Sequence, residues 1–567
     1  MSNKIFSLTD KIWNVQSEIV ARDVESALEI LVANRNIEDF ESFINTSTEN
    51  TVPDPFVFVD MEKAANRIVT AIKNKQKIAI LGDYDVDGAT SVSIFMKFFK
   101  HIGAEYTYYI PDRMSEGYGL STSSIEKHKD YLIIAVDCGS ASLAELKYAA
   151  DNNIDVIVID HHRMSVIPEN AVVVNPHRPD EDGRYKYLCA AGLVFLCVTG
   201  IHRLLKNANF YDGCREPDLG DYLDLVALAT VCDVVELKAL NRAFVSAGIK
   251  IIRQRKNFGI SALLSLLKSS EINAETIAFF LGPKLNAAGR MASADLSVDL
   301  LTTEDPARAK KIAMRLDLLN KDRQILEREM MEKADSFVDE DLNFICVFDP
   351  EWHVGVTGII AGRLREKYNR PSMVITVDSK GIGKGSCRST ENVNISDVIR
   401  RGIERGVILS GGGHAAAAGF STDPSKINDL IEFLKSDITH KPGFPELYAD
   451  CVVSIECLSP NFIKRISVLE PFGMGNRYPK FIISNVKIVG AGIVGENHLK
   501  FSLLDEKGNS VRGISFRSLD TPLGDILLNK KEAVDVLGTA TISSWNGLVN
   551  FQLDDIRLHG KGFTLGV

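Results

Sequence analysis

Three short apolar runs, at residues 78–81, 131–136 and 156–159, each give way to an aspartate within two residues. Helix-like stretches at 89–99 and 141–150 follow the first two, and a fourth apolar run lies at 171–174. Runs without polar alternation suit strands buried on both faces, and intervening helices supply the cover. The pattern predicts an α/β fold with a parallel sheet. In such a sheet the carboxyl ends of the strands line the ligand crevice. The strand-end residues should therefore gather in one place. The first run delivers Asp83, Asp85 and Asp87 in Gly82-Asp83-Tyr84-Asp85-Val86-Asp87-Gly88. The second delivers Asp137, and the third Asp160-His161-His162. A helix-like run at 223–231 ends in Cys232-Asp233.

Carboxylates collected this densely repel one another unless cations stand between them. Oxygen donors with one or two imidazoles suit Mn²⁺ or Mg²⁺ better than zinc, which prefers Cys and His. Two blander readings compete. Asp-x-Asp-x-Asp-Gly also opens a calcium loop, but the twelfth position, where that loop needs Glu, is Ile94. A single strand-end aspartate is usually a helix cap. Four such acidic sites with a His-His pair fit caps poorly.

The rest of the chain divides by composition. Residues 1–60 carry four Lys/Arg against eleven Asp/Glu and read as an acidic N-terminal extension of short helices, closed by Val52-Pro53-Asp54-Pro55. Residues 61–300 hold the sheet. Residues 301–341 read as a connecting helix: Pro306 starts it, and Ile312, Leu316, Leu319, Leu326 and Met330 recur at helical spacing. Residues 342–440 return to α/β character, with strands expected at 344–348 and 372–377. Residues 441–567 turn to short alternating β runs, as at 500–504 and 548–553, which fits a small barrel.

Net charge is −10, which alone argues against a nucleic-acid binder, yet residues 361–410 hold ten Lys/Arg against five Asp/Glu. Nine scattered cysteines without a C-x-x-C pair predict reduced thiols and a cytoplasmic protein without structural zinc. No apolar run reaches the roughly eighteen residues of a membrane span, and the start lacks signal-peptide character.

The ordered motifs carry a resemblance. The segments 82–91, Val136-Asp137-Cys138-Gly139, Asp160-His161-His162 and Asp233 look in order like those of the DHH phosphoesterase superfamily. The chain resembles most its RecJ branch of single-strand-specific exonucleases. Pro111-Asp112-Arg113, Glu116-Gly117-Tyr118-Gly119, the segment 282–291 and the segment 352–359 support that branch. Gly411-Gly412-Gly413-His414 with Ala417-Ala418-Gly419 resembles the DHHA1 hallmark, and Pro471-Phe472-Gly473-Met474-Gly475-Asn476 the entry to an OB-fold domain. The resemblance implies a DHH catalytic domain at 61–300, a DHHA1 domain at 342–440 and an OB-fold nucleic-acid-binding domain at 441–567.

It also implies 5′→3′ hydrolysis of single-stranded DNA with two ions, Mn²⁺ or Mg²⁺, in DNA recombination and repair. Asp83 and Asp85 would favour one ion, Asp87, His161 and Asp233 the other, with Asp137 bridging. His162 is better suited to donate to phosphate, since neighbours on an extended chain point to opposite sides; a hydrogen bond to a metal ligand is its alternative. Substrate contacts are expected from Arg113 in a polar loop and from Asn286 and Arg290 in a Gly-rich loop. Ser386 and Arg388, in the glycine-rich basic loop Gly383-Lys384-Gly385-Ser386-Cys387-Arg388-Ser389, would hold the 5′ end, and His414 would lie near the substrate. The implied partners of a monomeric enzyme are single-stranded DNA, a single-strand DNA-binding protein and a repair helicase, with no membrane. A DHH phosphoesterase for small substrates and a non-catalytic nucleic-acid adaptor are the competing readings.

Overall fold

The computed structural model describes residues 5–113, 116–117, 119–169, 171–268, 271–530, 532–543 and 547–560. Tyr118, one of the motif residues, lies outside them. The chain forms two compact units, 47–442 with 473–475, and 1–46 with 443–472 and 476–567.

The larger unit opens on a parallel sheet of β1 (Ile78–Leu81), β2 (Tyr106–Tyr109), β3 (Leu132–Val136), β4 (Val156–Ile159) and β5 (Val172–Val174). All residues of β1, β3 and β4 are buried, as their apolar runs require. The strand order is β2-β1-β3-β4-β5. It reverses direction between β1 and β3, and a crevice opens at such a switch point. The edge strand β2 has no counterpart among the expected strands. Its Tyr-Thr-Tyr-Tyr sequence is half-buried throughout, so it carries neither an apolar run nor a clean alternation.

Five helices place the site: α1 (Val86–Ile102), α2 (Ala190–Asn207), α3 (Leu223–Cys232), α4 (Gly282–Met291) and α5 (Pro306–Asp335). The connecting helix α5 is capped by Asp305, whose side chain accepts the Ala307 N–H, and it buries Ile312, Leu316, Leu319 and Met330 as their spacing predicts. A second sheet follows, ordered β9-β10-β8-β7-β6. Its strands are β6 (Ile345–Phe348), β7 (Ser372–Val377), β8 (Gly383–Arg388), β9 (Ser410–Gly413) and β10 (Ala417–Thr422), with α6 (Val354–Tyr368) between β6 and β7.

The smaller unit contains a closed barrel of the strands Phe481–Val494, His498–Leu504, Ser510–Ser515, Val549–Leu558 and Val534–Ile542. Residues 1–46 are not an extension built of short helices alone. Strand Ile12–Val15 pairs in parallel with Glu446–Ala449, and Val20–Ala21 pairs with Cys451–Val453. Helix Val24–Asn34 buries Ala27, Leu28 and Leu31 in the same core as Phe462 and Phe481. Strands of two to four residues whose partners lie more than 400 positions away leave little periodicity to read.

Candidate metal centre

Each acidic side chain has a local reason for its position. Asp85 caps α1, its carboxylate accepting the Gly88 N–H at 3.0 Å. Asp87, in the first turn of α1, accepts the N–H groups of Ala190 at 2.7 Å and Ala191 at 2.8 Å, the first two residues of α2. The positive end of that helix thus holds the carboxylate in place. Asp137 follows β3 directly with a φ of 59°, a left-handed conformation uncommon outside glycine and a form of strain often found at functional sites. Asp233 ends α3.

Together they surround His161. Its Nε2 lies 3.3 Å from Asp137 Oδ1, 3.6 Å from Asp233 Oδ2 and 3.7 Å from Asp87 Oδ2. Among the described residues three sets have donor atoms all within 4.8 Å of one another: Asp83, Asp85 and Asp137; Asp87, His161 and Asp233; and Asp137, His161 and His162. Asp137 and His161 each occur in two of them.

His162 does not point away from His161. The two rings lie 4.7 Å apart, and His162 Nδ1 is 3.9 Å from Asp137. The chain turns here instead of extending. Asp160 Oδ1 accepts the N–H groups of His161 and His162 at 2.7 and 3.2 Å and pairs with His162 Nδ1 at 2.7 Å, which folds the ring back. Asn175 Nδ2 donates to the His162 carbonyl at 2.9 Å and to Ser140 Oγ at 2.7 Å, and the Ser140 N–H donates to the other oxygen of Asp160 at 3.0 Å. Asp160 is therefore a positioning residue. Its strand-end place was legible, but its role depends on this turn.

The charges divide the site into two chemistries. Burial, then repulsion from Asp85, raises Asp83 well above the carboxylate range. Burial and then Asp87 raise Asp137 and Asp233 in the same way, and burial with Asp85 takes Asp87 to about 7. Asp83 Oδ1 and Asp233 Oδ2 are buried without a hydrogen-bond partner among the described residues. Burial lowers His161 to about 4, so its imidazole is neutral and can offer a lone pair. Burial would lower His162 too, but the Asp160 hydrogen bond raises it to about 9. That hydrogen bond favours the imidazolium form, and Asp160, despite burial, is held below its usual range by the same partner. Orphaned hard oxygens and a neutral imidazole fit divalent ions of the Mg²⁺ and Mn²⁺ kind.

A basic cluster lies beside the acids. Arg113 stacks over Tyr84, 4.7 Å from the ring centroid, in the expected polar loop. Asn286 and Arg290 are not in a loop but on helix α4. Pro283 stands in its first turn, and Gly289 allows close packing: a Cβ there would lie 2.4 Å from the Tyr84 carbonyl oxygen. Gly355 of α6 approaches Arg290 likewise, since its Cβ would lie 2.3 Å from the Arg290 carbonyl oxygen. These contacts stack the acidic turn, α4 and α6. The segment 383–388 is also not a loop but the central strand β8, paired on both sides, where glycine gives no local strand signal.

On β8, Ser386 Oγ lies 3.1 Å from Thr357 Oγ1, and Arg388 Nη1 donates to the Cys387 carbonyl at 2.8 Å. Burial holds Arg388 below its usual pKa, with Arg113 and Arg365 adding repulsion. Burial, then Arg113 and Arg323, lowers Arg290 to about 10. His414 sits in the β9–β10 turn; partial desolvation, then the charges of His162 and Arg163, lower its pKa. Cys232, Asn286, Arg290 and Arg323 line a cavity of about 160 Å³. Thr357 and Arg323 were not foreseen. Thr357 sits in the 352–359 motif, and Arg323 breaks the apolar stripe of α5.

Residues 77–230 match the DHH family, N-terminal domain, residues 341–440 the DHHA1 domain, and residues 449–554 the RecJ OB domain. Over 98% of its length the chain is 32% identical to the single-stranded-DNA-specific exonuclease RecJ of Bacillus subtilis (strain 168), covering 71% of that protein. The chain belongs to the RecJ family. It is likewise 32% identical to RecJ of Escherichia coli (strain K12), across 82% of this chain and 84% of that one. The crystal structure of RecJ in complex with Mn²⁺ from Thermus thermophilus superimposes with a TM-score of 0.81 at 28% identity, over 99% of this chain and 81% of that chain. The same protein was solved with Mg²⁺, at a TM-score of 0.75. RecJ membership agrees with the expected architecture of parallel sheet, linking helix, second α/β sheet and barrel. Among the described residues no helix is long and apolar enough to cross a membrane.

Proposed function

We propose that this chain is a 5′→3′ exonuclease that hydrolyses single-stranded DNA with two divalent ions, Mn²⁺ or Mg²⁺, in DNA recombination and repair. The observation that carries the reading is the position of Asp137, which shares one donor set with Asp83 and Asp85 and lies 3.3 Å from Nε2 of His161, a member of the set with Asp87 and Asp233. One ion would be held by Asp83, Asp85 and Asp137, the other by Asp87, His161, Asp233 and Asp137. Two such ions, when bound, would supply positive charge to the scissile phosphate and would lower the pKa of a water.

The chain's own residues supply the rest. His162, protonated and aimed by Asp160, donates to a phosphate oxygen. Asp160 and Asn175 hold that orientation, and Asp87 is held by the start of α2. Arg388 and Ser386 receive the 5′-phosphate, while Arg113, Arg290, Asn286 and His414 bind the strand. Arginine forks suit this task because they meet phosphate with two parallel hydrogen bonds. The barrel and the basic segment 361–410 accept any base sequence by stacking and charge. Under this reading the protein acts as a cytoplasmic monomer alongside a single-strand DNA-binding protein and a repair helicase.

The test incubates the protein and Mn²⁺ with single-stranded DNA, duplex DNA and short RNA, each carrying an end label. Stepwise release of nucleotides from the 5′ end of the single strand alone is the expected outcome. Preference for short RNA would favour the small-substrate phosphoesterase.

A further inference from the structure

The apolar stripe of α5 is interrupted at its middle. Leu316 and Leu319 precede the break and Met330 and Ala334 follow it, but Asn320, Arg323 and Glu327 occupy the intervening positions at the same spacing. Asn320 and Glu327 are each 5% exposed. Apolar residues would link two domains at least as well, because a buried carboxylate must recover its lost hydration.

The polar residues form one fixed arrangement. Arg323 Nη1 donates to Glu327 Oε2 at 2.7 Å and its Nε to Asn320 Oδ1 at 3.1 Å. The other oxygen of Glu327 pairs with Arg363 of α6. Among the described residues Nη2 of Arg323 has no acceptor, and the side chain lines the cavity with Asn286, Arg290 and Cys232. Arg290 has no carboxylate partner among the described residues and donates to the Gly355 carbonyl at 3.1 Å. Two guanidiniums thus meet at one small space, one residue from Asp233, and the carboxylate nearest Arg323 is already shared with Arg363. Two guanidiniums facing one space suit an oxyanion, which a guanidinium meets with charge-assisted hydrogen bonds.

We propose that Arg323 binds a backbone phosphate of the substrate strand, presented by the connecting helix and held in position by Asn320 and Glu327. This rests on the exonuclease reading above. Neither Ser386 nor Arg388 lines this cavity, so the contact is additional to those proposed for the 5′ end, and it makes α5 part of the substrate track. Glu327 and Asn320 act through Arg323 and are positioning residues.

The test uses 5′-phosphorylated single strands, each with one neutral methylphosphonate linkage at a different position beyond the scissile bond. The full-length protein should lose roughly tenfold or more in cleavage rate at each phosphate it contacts. R323Q should be slower on the unmodified strand and insensitive to neutralisation at one position, while remaining sensitive elsewhere. E327Q should show a partial form of the same pattern. R323Q should also lower the log–log salt slope of single-strand binding by about one, a readout independent of turnover. Thermal unfolding accompanies each variant. A uniform loss across all positions with an unchanged salt slope would overturn the proposal and make Arg323 a structural residue. A wild-type protein that leaves single strands intact would overturn the exonuclease reading instead, and the salt slope would still decide whether Arg323 meets a phosphate.

Discussion

The indole N–H of Trp13 donates to Asp555 Oδ2 at 2.7 Å, tying together residues 542 positions apart. Thr9 Oγ1 donates to the other oxygen at 2.6 Å, and both Trp13 and Asp555 are buried. Trp13→Phe keeps most of the ring volume but leaves a buried carboxylate oxygen without its donor. The expected cost to the smaller unit is about 1–3 kcal/mol. Thermal unfolding of the full chain checks it, and an unchanged transition would show that the bond adds nothing. Cleavage of very short oligonucleotides should be unaffected.

The same relationship dictates how the barrel should be removed. Deleting residues 446–567 alone would strip the partners from strands Ile12–Val15 and Val20–Ala21. Either this cut or one to residues 47–442 removes Met474, whose carbonyl accepts the Leu237 N–H at 2.8 Å, but residues 47–442 leave no orphaned strand among the described residues. A chain of residues 47–442 is the cleaner cut. It should cleave very short oligonucleotides near the full-length rate and bind long single strands more weakly, each lost stacking contact costing about 1–3 kcal/mol. Equal proportional loss on short and long strands would show that the barrel is not the capture module.

Asp137→Ala should abolish hydrolysis without collapsing the fold. The variant removes a carboxylate that burial and Asp87 already drive far above its ordinary pKa. Repulsion within the metal-free cluster therefore falls, and the thermal midpoint should hold or rise. Mn²⁺ titration by calorimetry should lose most of its heat. Appreciable turnover by the folded variant would sink the bridging assignment.

Arg388→Ala should impair cleavage of 5′-phosphorylated strands more than of 5′-hydroxyl strands. A charge-assisted contact of about 1.5–3 kcal/mol corresponds to a selective loss of roughly tenfold or more. Rates on the two substrates, compared with wild type, give the answer directly. Equal losses would make Arg388 a general contact of the strand.

Asp535→Asn should destabilise the smaller unit in a pH-dependent way. Burial would raise the Asp535 pKa, but the Asn485 N–H, His559 and Arg557 lower it below its ordinary value. The Arg557 and His559 contacts are each 2.8 Å. A depressed carboxylate stabilises the fold above its unfolded pKa, and that contribution disappears as pH falls through its folded value. The variant should therefore lose about 2 kcal/mol near neutrality, with the gap closing below about pH 4. Denaturant midpoints at several pH values measure it; a gap that widens in acid would contradict the sign.

Much of the candidate site was legible because short-range chemistry announces it. Apolar runs predict β1, β3 and β4, and the carboxyl ends of parallel strands bring Asp83, Asp137 and His161 to one crevice. The spacing of Ile312, Leu316, Leu319 and Met330 predicts the connecting helix. Asn286 and Arg290 were misplaced because Gly282, Pro283 and Gly289 resemble loop punctuation. In the fold, Pro283 starts a helix and Gly289 removes a side chain that would strike the Tyr84 carbonyl. Ser386 and Arg388 were misplaced for a similar reason: the glycines of β8 carry no strand propensity, and its two neighbouring strands supply the order.

The sequence by itself determined the α/β class, the acidic and imidazole set and the family, because periodicity and strand-end chemistry are written into contiguous residues. Tertiary structure decided the turn of His162 toward its neighbour, the entry of Arg323 into the cavity and the union of helix Val24–Asn34 with the barrel in one core. These depend on which surfaces meet, and that is set by burial and hydrogen bonds between residues remote in the chain, for which no local pattern exists.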